Sequence, residues 1–566
     1  MPVLNVREIG QIGVVSDIAP WDLPPSALTD GMNFRATSGK IQTTGGLKNA
    51  QYAWFPDRNG EIAPPSSQDQ LGHLSQQTDL EGNSSWVVYG EKSVRQWDGS
   101  QVRSLLDNVG DADDASMTDT VEKVFDPPLR DPARWSSCKV GAQTFMNHPD
   151  SFPMSWLDLN NADNFVCEWL PWSPEKGTWE EAGCSTFAIR SHKNFLWALG
   201  MVEGGETYPD RVRWSHPMES NGYPYTWEPP NDVDASSIAG YVDLGRGGAV
   251  VGAESLRDSF VIYSAEAISV MDFTGDALGW RRRVISSSAG LISKEAVVEV
   301  NGIHYFMSRD DILMFDGNQV TSLLHNKLRT RLAQTLNTDS ASSCWAAHNK
   351  NFNEVWFAIP ESGDDYPSTA FVYNYRDGTW AIRDLERQIR FGEFGDATTS
   401  FDYRTWENLS SDSSGSGAVG KPELISWDSG RASWHISGSQ PFDGVMYGVE
   451  DASVHNIDPQ VPDTSPSSFI SRTDLPIGGH EANTTITRVY PLIEGTSEVE
   501  VRFGSQQHAG GPVRWAGNWM RFKPGVDRKL DIRTTGELHA YEIRTVDDGF
   551  FNLTGMDVEF SLAGGR

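Results

Sequence analysis

The chain has 566 residues, a formal net charge of −31, four cysteines, 21 Trp, 25 Phe and 15 Tyr. So acidic a surface excludes attraction to phosphate as its main business, because that requires clustered Lys and Arg to release counterions. The length exceeds the roughly 250 to 300 residues at which a single core stops growing, so two to four domains are expected.

From the start, MPVLNVREIGQIGVVSDIAP lacks the basic head and apolar run of a secretory signal. No window approaches the roughly 18 consecutive apolar residues of a membrane span, and the expectation is a soluble, intracellular chain without one. In WDLPPSALTDGMNFRATSGKIQTTGGL, Pro24 and Pro25 hold the backbone extended and Thr29-Asp30-Gly31 makes a turn. A strand begins at Asn33 to Arg35, and the turn Thr37-Ser38-Gly39-Lys40 feeds a second one toward Gly45-Gly46. Residues 1–50 therefore read as an extended arm and hairpin, a device for clasping the first blade of a core or a neighbouring subunit. The candidate assembly residues are Leu23, Pro24, Pro25, Asp30, Gly31, Asn33, Arg35 and Gly39.

Residues 51–404 are dominated by aromatic and β-branched runs broken by Gly, Asp, Asn and Pro. Strand-turn-strand segments begin at Trp86, Phe195, Phe260, Ile303, Glu354 and Gly444. The starts at 195, 260, 303 and 354 are spaced irregularly, by 65, 43 and 51 residues, a range around the roughly 40 to 50 of a propeller blade that makes a divergent β-propeller with insertions the economical reading of a mainly β fold, with stacked hairpin sheets as the alternative. Asp98-Gly99 and Asp316-Gly317 are read as hairpin turns. An acidic insertion is expected near 104–132. Ser322 to Asn337 places Leu324, Leu328, Leu332 and Leu336 four apart, which predicts an amphipathic helical insertion on the β core or at a subunit contact. Residues 405–422 are Ser- and Gly-rich and read as a flexible insertion. Residues 423–470 read as returning propeller strands and a linker, and 471–566 as an antiparallel β-sandwich-like domain. That last part differs in charge: Thr485 to Arg566 is near neutral, with ten basic and eleven acidic side chains, so almost all the negative charge lies before it.

The standard catalytic constellations are missing from the sequence: no G-x-S-x-G, H-E-x-x-H, G-x-x-x-x-G-K-[ST], EF-hand loop or C-x-x-C occurs. Cys138, Cys167, Cys184 and Cys344 are therefore read as reduced and packed. The glycine-rich Asp243 to Val250 lacks the lysine and helix of a phosphate loop and reads as a strand connection. His304 reads as a packed or edge histidine, and Asp310 and Asp311 as water-facing turn residues. Asn374 to Trp380, NYRDGTW, resembles the Asp-box of sialidases imperfectly, and in that family the box braces a turn and is not catalytic. The expectation is no enzyme, no cofactor and no metal, with a glycan-active propeller enzyme or a glycan-binding adhesin as the alternative.

Leu23-Pro24-Pro25, Asp30-Gly31-x-Asn33-Phe34-Arg35, Gly39-Lys40-Ile41 and Gly45-Gly46 together resemble the amino-terminal pattern of tail nozzle proteins of short-tailed double-stranded DNA phages, also called tail tubular protein B, hub or stabilisation proteins. His539 to Arg566 resembles their closing strands, with Phe551 where Trp is usual. The resemblance implies a virion structural protein made in the host bacterial cytoplasm. It implies a homohexameric ring below the head-to-tail adaptor, near the tail fibres or spikes, through whose lumen the genome DNA leaves without sequence-specific binding. On this reading Ser410, Ser411, Asp412, Gly415 and Gly417 form a candidate distal gate.

Overall fold

The computed structural model describes residues 2–44, 71–78, 84–97, 101–106, 125–157, 167–394 and 467–565, with short strands at 47–48, 53–54, 432–435 and 446–450; within those spans 126, 221, 231–235, 246, 276–278, 386–387, 480–481, 496–497 and 547–550 are left out. Most of the acidic insertion, Asp98-Gly99 and all five candidate gate residues lie outside the described residues.

The fold is mainly β. Among the described residues, seven small sheets follow one another along the chain, each with at least four strands; the second to sixth are meanders of consecutive antiparallel strands, and the first is such a meander with Ala53–Trp54 added parallel to Gln101–Ser104. Their first strands are Leu71–Thr78, Ser136–Val140, Cys184–His192, Val250–Leu256, Val297–Val300, Trp345–Asn349 and Ile389–Phe394. From the second onward these first strands touch in succession, and Ile389–Phe394 returns to touch Leu71–Thr78, which closes the circle. This is a seven-bladed propeller with the first strand of each blade at the axis. The seventh blade is completed by the amino-terminal side of the chain: Leu47–Lys48 pairs with Ala432–His435 as its outer strand.

One local device recurs. In blades two to five the first two strands are joined by two-residue turns, Gly141-Ala142, Lys193-Asn194, Arg257-Asp258 and Asn301-Gly302. The leading residue of each has φ between 53° and 61°. Such turns match the right-handed twist of the flanking strands, which is why they tolerate even Lys193 and Arg257 in the left-handed region. Large aromatics fill the spaces between strands and blades: Trp172, Trp179 and Trp227 form one cluster with ring centroids 4.9 to 6.5 Å apart, and Trp197, Phe260 and Trp280 another. Each such ring removes a large apolar area from water, so these clusters supply much of the blade-to-blade adhesion.

The second body is a sandwich of two six-stranded sheets. One carries Phe469–Pro476, Leu538–Thr545 and Val499–Gln506; the other carries Ala482–Gly495, Leu530–Gly536 and Phe551–Gly565. The separation of an amino-terminal arm from a carboxy-terminal β domain is corrected here. Asp30–Met32 is an edge strand of the first sheet, while Val3–Arg7 and the hairpin Phe34–Thr37, Lys40–Thr43 belong to the second. The strands near both ends need each other to cover one apolar core, in which Val6, Phe34 and Ile41 lie with Leu553, Met556 and Val558.

Two further expectations need revision. The helix over 322–337 shrinks to Arg329–Thr335, because Asn326 takes φ 57° and Leu328 takes φ −133°, neither of them helical. The leucine spacing nevertheless marks burial correctly: Leu324, Leu328, Leu332 and Leu336 all enter the core, reached by a turn and a helix instead of one helix. Asp311 is 6% exposed and does not face water, unlike Asp310 beside it, whose side chain is 71% exposed. His304 is packed as expected, its Nε2–H donating to Ser255 O at 2.8 Å and its Nδ1 accepting from the Tyr263 hydroxyl at 2.7 Å.

Burial lowers His304 and His539 from the ordinary 6.5 to about 4. In the unfolded chain both take up protons below about 6.5, so the unfolded state binds more protons between there and about 4. Stability is expected to be full above that window and to decline as pH falls through it. Urea midpoints measured across the range check this, and a flat profile would contradict it.

Candidate functional site

Asp30, Gly31, Asn33 and Arg35 converge on one junction, and each has a physical reason for its identity. Residues 13–14 and 33–36 run along Thr379–Asp384, the outer strand of the sixth blade, and not along the first blade. Val14 N donates to Trp380 O at 3.0 Å and Asn33 N to Ile382 O at 2.9 Å. An outer strand presents unpaired backbone groups, and the arm satisfies them.

Asn33 sits at φ 60°, a conformation that Asn adopts more readily than most residues. Its Oδ1 accepts from Asp384 N at 2.9 Å and its Nδ2 donates to Ser467 O at 3.2 Å, so a single amide ties the sixth blade to the segment entering the sandwich. Gly31 is required by space: a Cβ there would lie 2.5 Å from the Phe34 ring and 2.9 Å from Phe469 O. Asp30 accepts from Gly31 N and pairs with Arg331 on the short helix. Gly39, at φ 75°, completes the hairpin turn. Leu23 packs with Val15 and Ala27, and its carbonyl accepts from Arg472 Nη2 at 2.9 Å, whereas Pro24 and Pro25 are exposed.

Arg35 is the centre of the junction. Its guanidinium meets the Glu354 carboxylate in a two-pronged pair, Nε to Oε1 and Nη2 to Oε2, with side chains 2% and 3% exposed. The Phe352 ring lies 3.6 Å below the guanidinium, and Trp356 Nε1 donates to Glu354 at 3.1 Å. The pair links the amino-terminal hairpin of the sandwich to the second strand of the sixth blade. Asp377, from the Asp-box-like turn, clamps the same hairpin by accepting from Ser38 N at 2.8 Å and Thr37 Oγ1 at 3.1 Å. Asn374 braces that turn by accepting from the backbone of Arg376 and Asp377, both at 3.0 Å. The motif thus acts as a structural brace. The helix Arg329–Thr335 has no side-chain cap of its own, and Asp17 from the arm supplies one, accepting from Arg329 N at 2.7 Å and Thr330 N at 3.1 Å.

Sequence reasoning missed a second concentration of charge, on the propeller axis. Arg190, Glu254, Lys294, Glu295 and Glu393 stand on or beside first strands, as charged residues among apolar neighbours, and that pattern was the available signal. Arg190 Nη2 donates to Glu295 at 3.0 Å, and Lys294 Nζ donates to Trp135 O. Burial pushes Glu295 up, but Arg190, His73 and Lys294 together hold it at about 2. Burial brings Lys294 down to about 7 against the pull of Glu295, and raises Glu393 to about 7. A cavity of about 850 Å³ reaches Lys294 from one face, and one of about 470 Å³ reaches Glu295 from the other, so this cluster separates two wells. No group of three or more His, Cys, Asp or Glu suited to a metal ion occurs among the described residues.

No family model and no curated protein matches this chain. Among solved structures, the computationally designed Ika8 protein is similar at 13% identity over 65% of this chain and 90% of that one, with a TM-score of 0.33. The extracellular domain of a one-component system from B. thetaiotaomicron gives 9% identity over 86% of this chain and 47% of that one, with a TM-score of 0.34. A functionally unknown protein from Desulfotomaculum acetoxidans gives 9%, 55% and 88%, with a TM-score of 0.30.

Replacing Arg35 by Leu leaves the buried Glu354 with the Trp356 Nε1–H but without its counter-charge, an expected loss of about 3–5 kcal/mol. The double replacement Arg35→Leu with Glu354→Leu is expected to recover most of it, and urea unfolding of the three chains checks both. Asn33→Ala is expected to lose about 2–4 kcal/mol, from two hydrogen bonds and the left-handed backbone. Asn33→Gly keeps the backbone and is expected to lose less.

Proposed function

We propose that the chain is a structural subunit of the tail of a short-tailed double-stranded DNA phage, of the tail nozzle type. One observation carries the reading. The two stretches that resemble that family, residues 23–46 and 539–566, lie at opposite ends of the sequence, yet their described strands are joined in the same two sheets. A resemblance at both ends is therefore a resemblance of one three-dimensional unit, docked on a propeller through Asn33 and Arg35.

Other features fit. The propeller axis is obstructed by Arg190, Lys294 and Glu295, so a genome would leave through a lumen enclosed by several copies, and the acidic bodies of those copies would repel DNA and let it slide. A ring of this kind needs a heterologous contact that closes, with two different patches on each copy. Hexameric order, the adaptor, the fibres or spikes, and a virion location belong to this proposal. The adhesin alternative needs free tryptophan faces. Arg502 stacks between Trp515 and Trp519 at 4.0 and 4.3 Å, and Arg544 covers Trp519 at 3.9 Å, which leaves Trp169 as the large exposed indole among the described residues.

Immunogold electron microscopy of particles from a lysate of the source, with antibody to the recombinant chain, tests the proposal. Label confined to the tail end of short-tailed particles is expected. Unlabelled particles alongside abundant soluble chain would overturn it.

A further inference from the structure

The axial well of about 470 Å³ is built from the first strands of six blades and the approach to them, with Arg190 of the remaining blade in its floor. Its size falls in the range of small-molecule sites, and its lining is more polar than apolar. The charges in it are unequally satisfied. Glu295 is neutralised by Arg190, and Glu299 is occupied by the backbone N–H of Gly302. Lys139 and Lys350 also line the well, and neither has an ion-pair partner within 4 Å among the described residues. A second, independent feature points to a missing ligand. His73 lines the same well and is 4% exposed; its Nε2 meets Ser137 Oγ at 3.2 Å, but its Nδ1 is buried without a partner. A native interior leaves such a group unsatisfied only rarely.

The geometry points to a binding site for a small anion, a carboxylate or a phosphate, on the propeller axis, with Lys139 and Lys350 supplying the charge and His73 a hydrogen bond. An anion fits better than a cation because Lys139 and Lys350 hold no ion pair and, with the Ser137 hydroxyl donating to Nε2, His73 Nδ1 carries the proton and has no acceptor. Glu393 lines the same well, where burial raises it to about 7 against the pull of Lys139 and Lys350, and burial raises Glu254 too, so both carboxylates carry less negative charge against an anion than ordinary ones would. Lys350 is exposed at the rim and Lys139 is half-buried below it, so an anion would enter past the first and be held by the second. The inference is independent of the tail assignment, and either can fail without the other.

Calorimetric titration of the full chain with sodium glucuronate, and separately with inorganic phosphate, tests it, with glucose as the uncharged control. At least one anion is expected to bind below about 10 mM and glucose is not. Lys139→Met and Lys350→Met are each expected to weaken binding about tenfold or more. Lys350 is solvent-exposed, so its replacement leaves the fold intact, and near-ultraviolet circular dichroism verifies this for both variants. Glucuronate binding without phosphate binding would identify a carboxylate site, and the reverse a phosphate site. Absence of binding by both anions, equal binding of glucose, or affinity unchanged in both folded variants would overturn the proposal.

Discussion

A guanidinium and a carboxylate are expensive to take out of water singly, and the arrangement of this chain turns on burying Arg35 and Glu354 together. One partner belongs to the sandwich and the other to the propeller, so neither body can withdraw without exposing or orphaning a charge. Around the pair the contacts are mostly directional: Asn33 to the sixth blade and the linker, Asp377 to the hairpin turn, and Asp17 to the helix end. One apolar cluster runs from the propeller into the sandwich, with Phe371 and Trp380 in the same core as Phe34 and Leu553, and these polar contacts fix the orientation of one body against the other. Burial alone is tolerant of sliding; paired charges and amides in fixed geometry are not.

The axis follows a different logic. In the junction Arg35 meets Glu354 and Arg331 meets Asp30 at contact distance, but on the axis Lys139 and Lys350 have no ion-pair partner within 4 Å among the described residues. Lys350 is exposed at the rim and costs little, whereas a half-buried charge such as Lys139 without an ion pair is costly to retain and persists where something other than stability is served. The two polar regions therefore divide the roles of the protein interior: one is satisfied within the chain, and the other remains open to an additional group.

Much of the architecture was legible because its causes are local. Alternating apolar residues and two-residue turns generate hairpins, and the repetition of hairpins generates blades. The leucines from Leu324 to Leu336 announced burial, but the break at Asn326 depends on backbone geometry that side-chain periodicity does not encode. The partners of Arg35 and Asn33 were not legible for another reason. The residues that satisfy them, Glu354 and Asp384, lie more than three hundred positions away, and nothing in either neighbourhood specifies the other. The association of the two ends with each other and with the sixth blade arises from tertiary structure. The axial charges were visible as Glu and Lys in apolar strands, but only ring closure converts scattered positions into a common well.

That closure has a temporal side. Leu47–Lys48 waits for Ala432–His435 to complete the seventh blade, and Val3–Arg7 waits for the strand Phe551–Gly565. On a ribosome, the first strands made are among the last to find their neighbours. During synthesis the arm is an unpaired edge, able to add to the wrong strand or to another nascent chain. Pairings between such distant positions also make for slow folding, since long loops must close before their contacts contribute. The edges at both ends therefore stay open to wrong partners until the last strands of the chain have been made and can reach the first.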